Sequence, residues 1–179
     1  MAGNEMKTAA VIAALAVALV LQTTLAGVSL AGSSRVNLVL VAVIYVALAY
    51  GPVFGLLAGC AAGLVQDSIA GGMIGIGGLS KTLVGFFVGV LGAQFIVTTP
   101  VPRFLMFFGA SMFHEVCFQA LYALVESRTM RFDVSHAVIQ ALVNGAVGIS
   151  AFLLAERGPE MFQRRDSWRR SSSSVRRRY

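Results

Sequence analysis

From Val36 to Gly63 the chain runs for 28 residues without one charged side chain. As a single helix this stretch would measure about 42 Å at ~1.5 Å per residue. The apolar layer of a bilayer is only about 30 Å thick, so the run has to break. Gly51-Pro52 supplies the break. Proline fits the first turn of a new helix and disfavours helical geometry at the residue before it. The spacing therefore predicts two short antiparallel spans, 36–50 and 52–66, joined by a tight turn.

Comparable apolar runs flank this pair at 8–31, 79–97, 104–125 and 134–154. Charged residues make up 12% of the 179-residue chain, half the ~25% usual for a soluble domain. The expected fold is an all-α integral membrane protein, a six-transmembrane-helix bundle over residues 1–156. A signal peptide is the competing reading of the first run, because Ser29-Leu30-Ala31 has the small residues of a cleavage site. The run outlasts a usual signal core and only Lys7 precedes it, which favours a retained span. Its Ala10, Ala14 and Ala18 form a small-residue stripe.

The net charge of +6 resides wholly in the segment 157–179, where eight arginines face only Glu160 and Asp166. This Arg/Ser-rich tail has too little apolar surface to fold alone and is expected to be disordered. Six spans place both termini on one side, and the excess of arginine assigns that side to the cytoplasm. The tail is suited to anionic lipids; a nucleic-acid partner is not expected of a chain tethered to a membrane. Cys60 and Cys117 lie inside apolar runs without metal-ligand spacing, as small packing residues do.

Gly51, Gly55, Gly59 and Gly63 recur at intervals of four in the third span, and Gly85 and Gly89 in the fourth. On helices such stripes admit a neighbouring backbone at close range. Between them stand Gln66-Asp67, a loop over 67–78 with Gly71 and Gly75, and then Lys81. Asp67 is placed either to pair with Lys81 or to accept the loop's free amides. The candidate outer-loop site, for turn support or partner docking, is thus Gln66, Asp67, Gly71, Gly75 and Lys81.

A second polar group lies in the last two spans. Ser111, Glu115 and Gln119 share one helical face, and Gln140 and Asn144 another. Matching depths from the 126–133 turn puts Glu115 near Asn144. Either these residues form a hydrogen-bonded seam, each bond contributing about 0.6–2 kcal/mol, or Glu115 centres a proton- or cation-binding site. No second carboxylate lies on either face, which favours the seam. His114-Glu115 is not a metal-binding helix motif, since Phe118 stands where the second histidine would fall. Neither a nucleophile elbow nor a Walker loop occurs, so the residues point away from catalysis, and neither cofactor nor metal is expected.

The run Val39–Tyr50, Gly51-Pro52, the glycine-spaced helix, Gly63-Leu64-Val65-Gln66-Asp67, Gly71, Gly75, and Leu83-Val84-Gly85-Phe86 with Gly89 resemble the rod shape-determining MreD family. One departure is Val36-Asn37, where family members often carry Pro-Asp at the entry to the second span. The resemblance implies a non-catalytic inner-membrane subunit of the bacterial cell-elongation complex. It would bind the bitopic protein MreC and link MreB filaments to a glycosyltransferase and penicillin-binding protein that make peptidoglycan. It also implies a fold similar to the substrate-binding subunits of energy-coupling-factor transporters. The alternative function is a small-molecule, vitamin-like binding subunit of a transporter, with a pocket lined by Gln66, Asp67, Lys81 and Glu115. Aromatic side chains that would line such a pocket are scarce near those span ends, which favours the scaffold.

Overall fold

The computed structural model describes residues 2–24, 36–71, 73–95, 99–126 and 133–175, with the side chains of 2–4, 6, 7, 10 and 155–175 left aside. Six helices follow one another: α1 (Ala2–Thr24), α2 (Leu38–Tyr50), α3 (Pro52–Ala70), α4 (Ile76–Gln94), α5 (Pro100–Glu126) and α6 (Val134–Val175). By length and apolar character four of them can cross a membrane: α3, α4, α5 and the Val134–Leu154 part of α6. The apolar part of α1, Val11–Thr24, and the whole of α2 are shorter. Six spans were expected, with 36–50 and 52–66 short; six helices are present, of which α2 is short and α3 is long enough to cross.

α2 is the axis of the bundle. Its 13 residues carry no charge, and Val39, Leu40, Val41, Val43, Ile44, Val46 and Ala47 are buried, whereas the face with Leu38, Ala42, Tyr45 and Ala49 is half-buried or exposed. A helix this apolar is expected to be covered over most of its surface. One core cluster joins Leu40, Val41, Ile44 and Ala47 to Val84 and Val88 of α4 and Phe107 and Ala110 of α5. A second joins Val39, Val43 and Val46 to Val11 and Leu15 of α1 and Ala58 and Ala62 of α3. In α1 the inward residues are Val11, Leu15 and Ala18, while Ala14 is exposed. Of the alanine stripe, Ala18 faces the core and Ala14 does not, and the Ala10 side chain lies outside the described ones.

α2 ends and α3 begins at Gly51, whose φ of 91° and ψ of −176° only glycine adopts readily. Pro52 then occupies the first turn of α3, as the sequence predicts. Other boundaries differ. α3 continues to Ala70, so Gln66 and Asp67 lie within it rather than at its end. α4 begins at Ile76 and takes in Gly77 and Gly78, so that of the predicted 67–78 loop only Gly71 and 73–75 are non-helical among the described residues. Glycine disfavours helix by about 1 kcal/mol per residue, but Gly78 packs against Gly63, and that contact outweighs the propensity. Pro100 and Pro102 sit in the first turn of α5, where a missing N–H costs nothing. The backbone of α6 runs on as helix to Val175, into the tail expected to be disordered; extending an existing helix needs no new nucleus. The end of the first predicted span, 25–31, lies outside the described residues.

Candidate functional site

α3 and α4 form the closest helix pair, and the glycines are the reason. A Cβ on Gly55 would strike the Gly85 carbonyl, and one on Gly59 the Lys81 carbonyl. A Cβ on Gly63 would lie 2.5 Å from the Gly78 Cα, and one on Gly89 2.5 Å from the Pro52 nitrogen. The two backbones touch at four successive turns. Gly51 is not part of this seam, for nothing lies within 4 Å of a Cβ there; its role is the turn.

At the loop end of the pair Asp67 fastens the connection. Its Oδ2 accepts the Gly75 amide at 2.9 Å and the Gly78 amide at 3.0 Å. These amides belong to the start of α4, where N–H groups have no partner inside the helix. A carboxylate there satisfies the donors and complements the helix dipole. Gly77 faces the same carboxylate and has no space for a Cβ. Gly71 and Gly75 take left-handed backbone at the two corners of the loop. Of the two uses weighed for Asp67, the amide one is made. Lys81 lies one turn and a half into α4, only 3% exposed; the charge of Asp67 acts on its ammonium, but no hydrogen bond joins them. Gln66 is half-buried, and its Oε1 is enclosed without a hydrogen-bond partner.

The second polar centre gathers at the start of α2, on the same end of the bundle. Three side-chain carbonyl oxygens, from α6, from α1 and from the N-cap residue Asn37, accept the amides at the start of α2. Asn144 Oδ1 of α6 accepts from the Asn37 N–H at 3.0 Å. Gln22 Oε1 of α1 accepts from Leu38 at 2.7 Å, and Asn37 Oδ1 accepts from Leu40 at 3.0 Å. Gln22 also donates to the Val36 carbonyl at 2.9 Å. Asn144 donates in turn to Ser111 Oγ at 3.3 Å, and the Asn37 amide nitrogen lies 3.4 Å from His114 Nε2. Asn144, Ser111 and His114 are all buried. Enclosed polar groups need such partners, each orphan costing about 1–3 kcal/mol.

This centre keeps two members of the predicted seam and releases the others. Ser111 and Asn144 meet, but Glu115 does not reach Asn144; its Oε1 accepts from Gln119 on its own helix at 3.0 Å. Gln140 is half-buried and stands outside the network. The register is one turn away from the depth-matched expectation. Cβ atoms on Gly145 and Gly148 would run into the rings of Phe104 and Phe107, so those rings seat in glycine notches and set how α5 meets α6. Gln22, Asn37 and His114 are not among the site residues expected from sequence. Asn37 carried a readable signal, an N-cap residue directly before an apolar run; Gln22 and His114 carried none.

At the entrance to α6, Asp133 Oδ1 accepts from the Ser135 hydroxyl at 2.6 Å and from the amides of Ser135 and His136. These bonds hold its carboxyl below the usual 3.8, the hydroxyl contributing most.

A polar-fastened, glycine-seamed helix pair packed against a short, mostly buried helix is thus what the sequence builds. The family model for rod shape-determining protein MreD matches residues 5–155. The chain belongs to the MreD family. That match takes in every helix described above, up to the apolar end of α6, and it identifies a multi-pass membrane protein with a role in cell shape. No curated protein and no solved structure matches the chain, so the expected likeness to energy-coupling-factor subunits gains no support.

Proposed function

We propose that this protein is a non-catalytic subunit of the bacterial cell-elongation complex, in the inner membrane with both termini in the cytoplasm. In this role it binds an MreC-like bitopic protein and links MreB filaments to the glycosyltransferase and penicillin-binding protein that build peptidoglycan. The observation that carries the reading is the family match over residues 5–155. The build of the bundle is consistent with a scaffold. Hydrogen bonds and glycine contacts fix its interior, while Val53, Leu57, Val65 and Ile69 of α3 and Phe86, Phe87 and Leu91 of α4 remain exposed. In a bilayer these side chains meet lipid or another protein's helix. The arginines of 157–179 suit the anionic cytoplasmic leaflet.

The test combines depletion in the host with crosslinking. Single cysteines at Leu57 and Phe86, in a background lacking Cys60 and Cys117, are expected to capture a bitopic partner. Depletion is expected to turn rods round. Rods that keep their shape on depletion, with no partner captured from either face, refute the reading.

A further inference from the structure

The second half of α5 carries a polar track. Glu115, Gln119, Tyr122 and Glu126 stand at intervals of four, three and four, so they lie along one side of the helix. All four are half-buried. Two hydrogen bonds link them along α5: the Gln119 amide nitrogen donates to Glu115 Oε1 at 3.0 Å, and the Tyr122 hydroxyl donates to Glu126 Oε1 at 3.1 Å. Glu115 is the deep end of the track. It stands two residues, about 3 Å, past Phe113, the middle residue of α5, and so well inside an apolar layer about 30 Å thick.

The direction of Glu115 follows from its neighbours. Phe113 packs on Phe87 of α4 with 5.4 Å between ring centroids. Glu115, two residues on, points about 200° from it round the helix, and hence away from α4. Ser111 and His114 take the side toward α6 and α2, which leaves Glu115 on the flank of the α5–α6 pair, next to the exposed Val116. Among the described residues α1 and α3 do not touch α5, and α2 has no charged side chain. Lys81 belongs to α4, where the charge of Asp67 acts on it. His136, the ionisable side chain in the membrane-crossing part of α6, makes no hydrogen bond to Glu115 among the described residues. Glu115 Oε2 accepts no hydrogen bond from a described residue and is not an enclosed atom, so it opens at the surface of the bundle.

Acyl chains offer a carboxylate no donor, and a charged side chain at this depth pairs with an opposite charge. A second copy of this chain does not supply one, because its one lysine or arginine away from the ends of the spans, Lys81, is 3% exposed. We propose that the Glu115–Gln119 flank of α5 docks one membrane-spanning helix of another protein through a lysine or arginine at mid-bilayer depth. The Glu115 carboxylate is the countercharge. Gln119 Oε1 is a second acceptor, since the nitrogen of that amide is already turned to Glu115. The proposal rests on the scaffold reading for the existence of a partner and adds the chemistry of one contact, on a face separate from Leu57 and Phe86. Its test uses no component of the host, so its failure leaves the depletion result standing.

The probe is a synthetic poly-leucine helix long enough to span the bilayer, with one central lysine and a photo-reactive leucine beside it. The control peptide has methionine at the centre. Each is incorporated with the purified full chain into phosphatidylcholine discs and irradiated, and the products are mapped by mass spectrometry. The lysine peptide is expected to crosslink roughly tenfold more than the control, a preference of about 1.4 kcal/mol, with products on α5 around Glu115. The preference is expected to disappear in Glu115→Leu and to shrink severalfold in Glu115→Gln. Both changes touch a bond within α5 only, so the bundle should form, and the wild-type comparison needs neither variant. Equal crosslinking of the two peptides overturns the proposal, as does a preference kept in Glu115→Leu or undiminished in Glu115→Gln. Products on other helices, or a product between two copies of the chain that the lysine peptide does not displace, overturn it as well.

Discussion

Gly59→Ala tests whether the α3–α4 seam is a backbone contact. The added Cβ would lie 2.6 Å from the Lys81 carbonyl carbon and 2.8 Å from the Thr82 amide nitrogen. Carbon atoms rest comfortably at about 3.5 Å, so the helices would have to part by roughly 0.9 Å. Neither obstacle is a side chain that can swing aside. Overpacking of this kind costs about 1–3 kcal/mol, and a backbone obstacle argues for the upper half. Alanine returns up to about 1 kcal/mol of helix propensity, leaving a net loss of about 1–2 kcal/mol. Gly109→Ala is the internal control, since nothing lies within 4 Å of a Cβ there; it has the propensity gain without the clash. Reversible unfolding in mixed detergent micelles measures both. The expected result is opposite signs, Gly59→Ala destabilised and Gly109→Ala unchanged or stabilised. Equal behaviour of the two variants would mean that α3 and α4 are not in backbone contact, and the account of the seam would fall.

Asp67→Ala is expected to destabilise by about 2–3 kcal/mol, since it orphans two amides held by a charged acceptor, with Asp67→Asn milder. Hydrogen exchange at Gly75 and Gly78 should accelerate, and unchanged protection would contradict the fastening role. Asn144→Leu should cost about 1–3 kcal/mol by stranding the Asn37 amide and should speed exchange at the start of α2, although the residue changed is on α6. A change confined to α6 would contradict the shared cap. Because hydrogen bonding lowers the folded-state value of Asp133, its contribution to the start of α6 is present above the usual 3.8. It is lost as pH falls through the folded one. Amide shifts of Ser135 and His136 should follow that titration and stay flat in Asp133→Asn; a midpoint at or above the usual value would refute the assignment.

Much of the helix pairing was legible because it depends on local order. Proline after glycine breaks a helix wherever it stands, and four-residue glycine spacing stays on one face whatever the partner. The site was less legible because its bonds are long-range. Asn37 and Asn144 are 107 residues apart, and no periodicity in either helix reports the other. Position along α5 suggested Glu115 as Asn144's neighbour; ring size decided for Ser111, because Phe104 and Phe107 fit only against glycine. The inclusion of Gly77 and Gly78 in α4 was equally hidden, since it follows from contacts with Asp67 and Gly63 rather than from their own preference.

The enclosed second helix has a consequence for biosynthesis. At about 20 Å it is some 10 Å short of the apolar layer, so its leading amides open inside the protein rather than into water. One of their acceptors, Gln22, leaves the ribosome before them, but another, Asn144, is made more than a hundred residues later. The second helix is thus completed by the last one, and the nascent chain has to carry an unfinished helix end until synthesis is nearly over. Chains stalled just before Asn144 should accordingly be degraded faster than chains stalled just after it, although both hold the same first five helices.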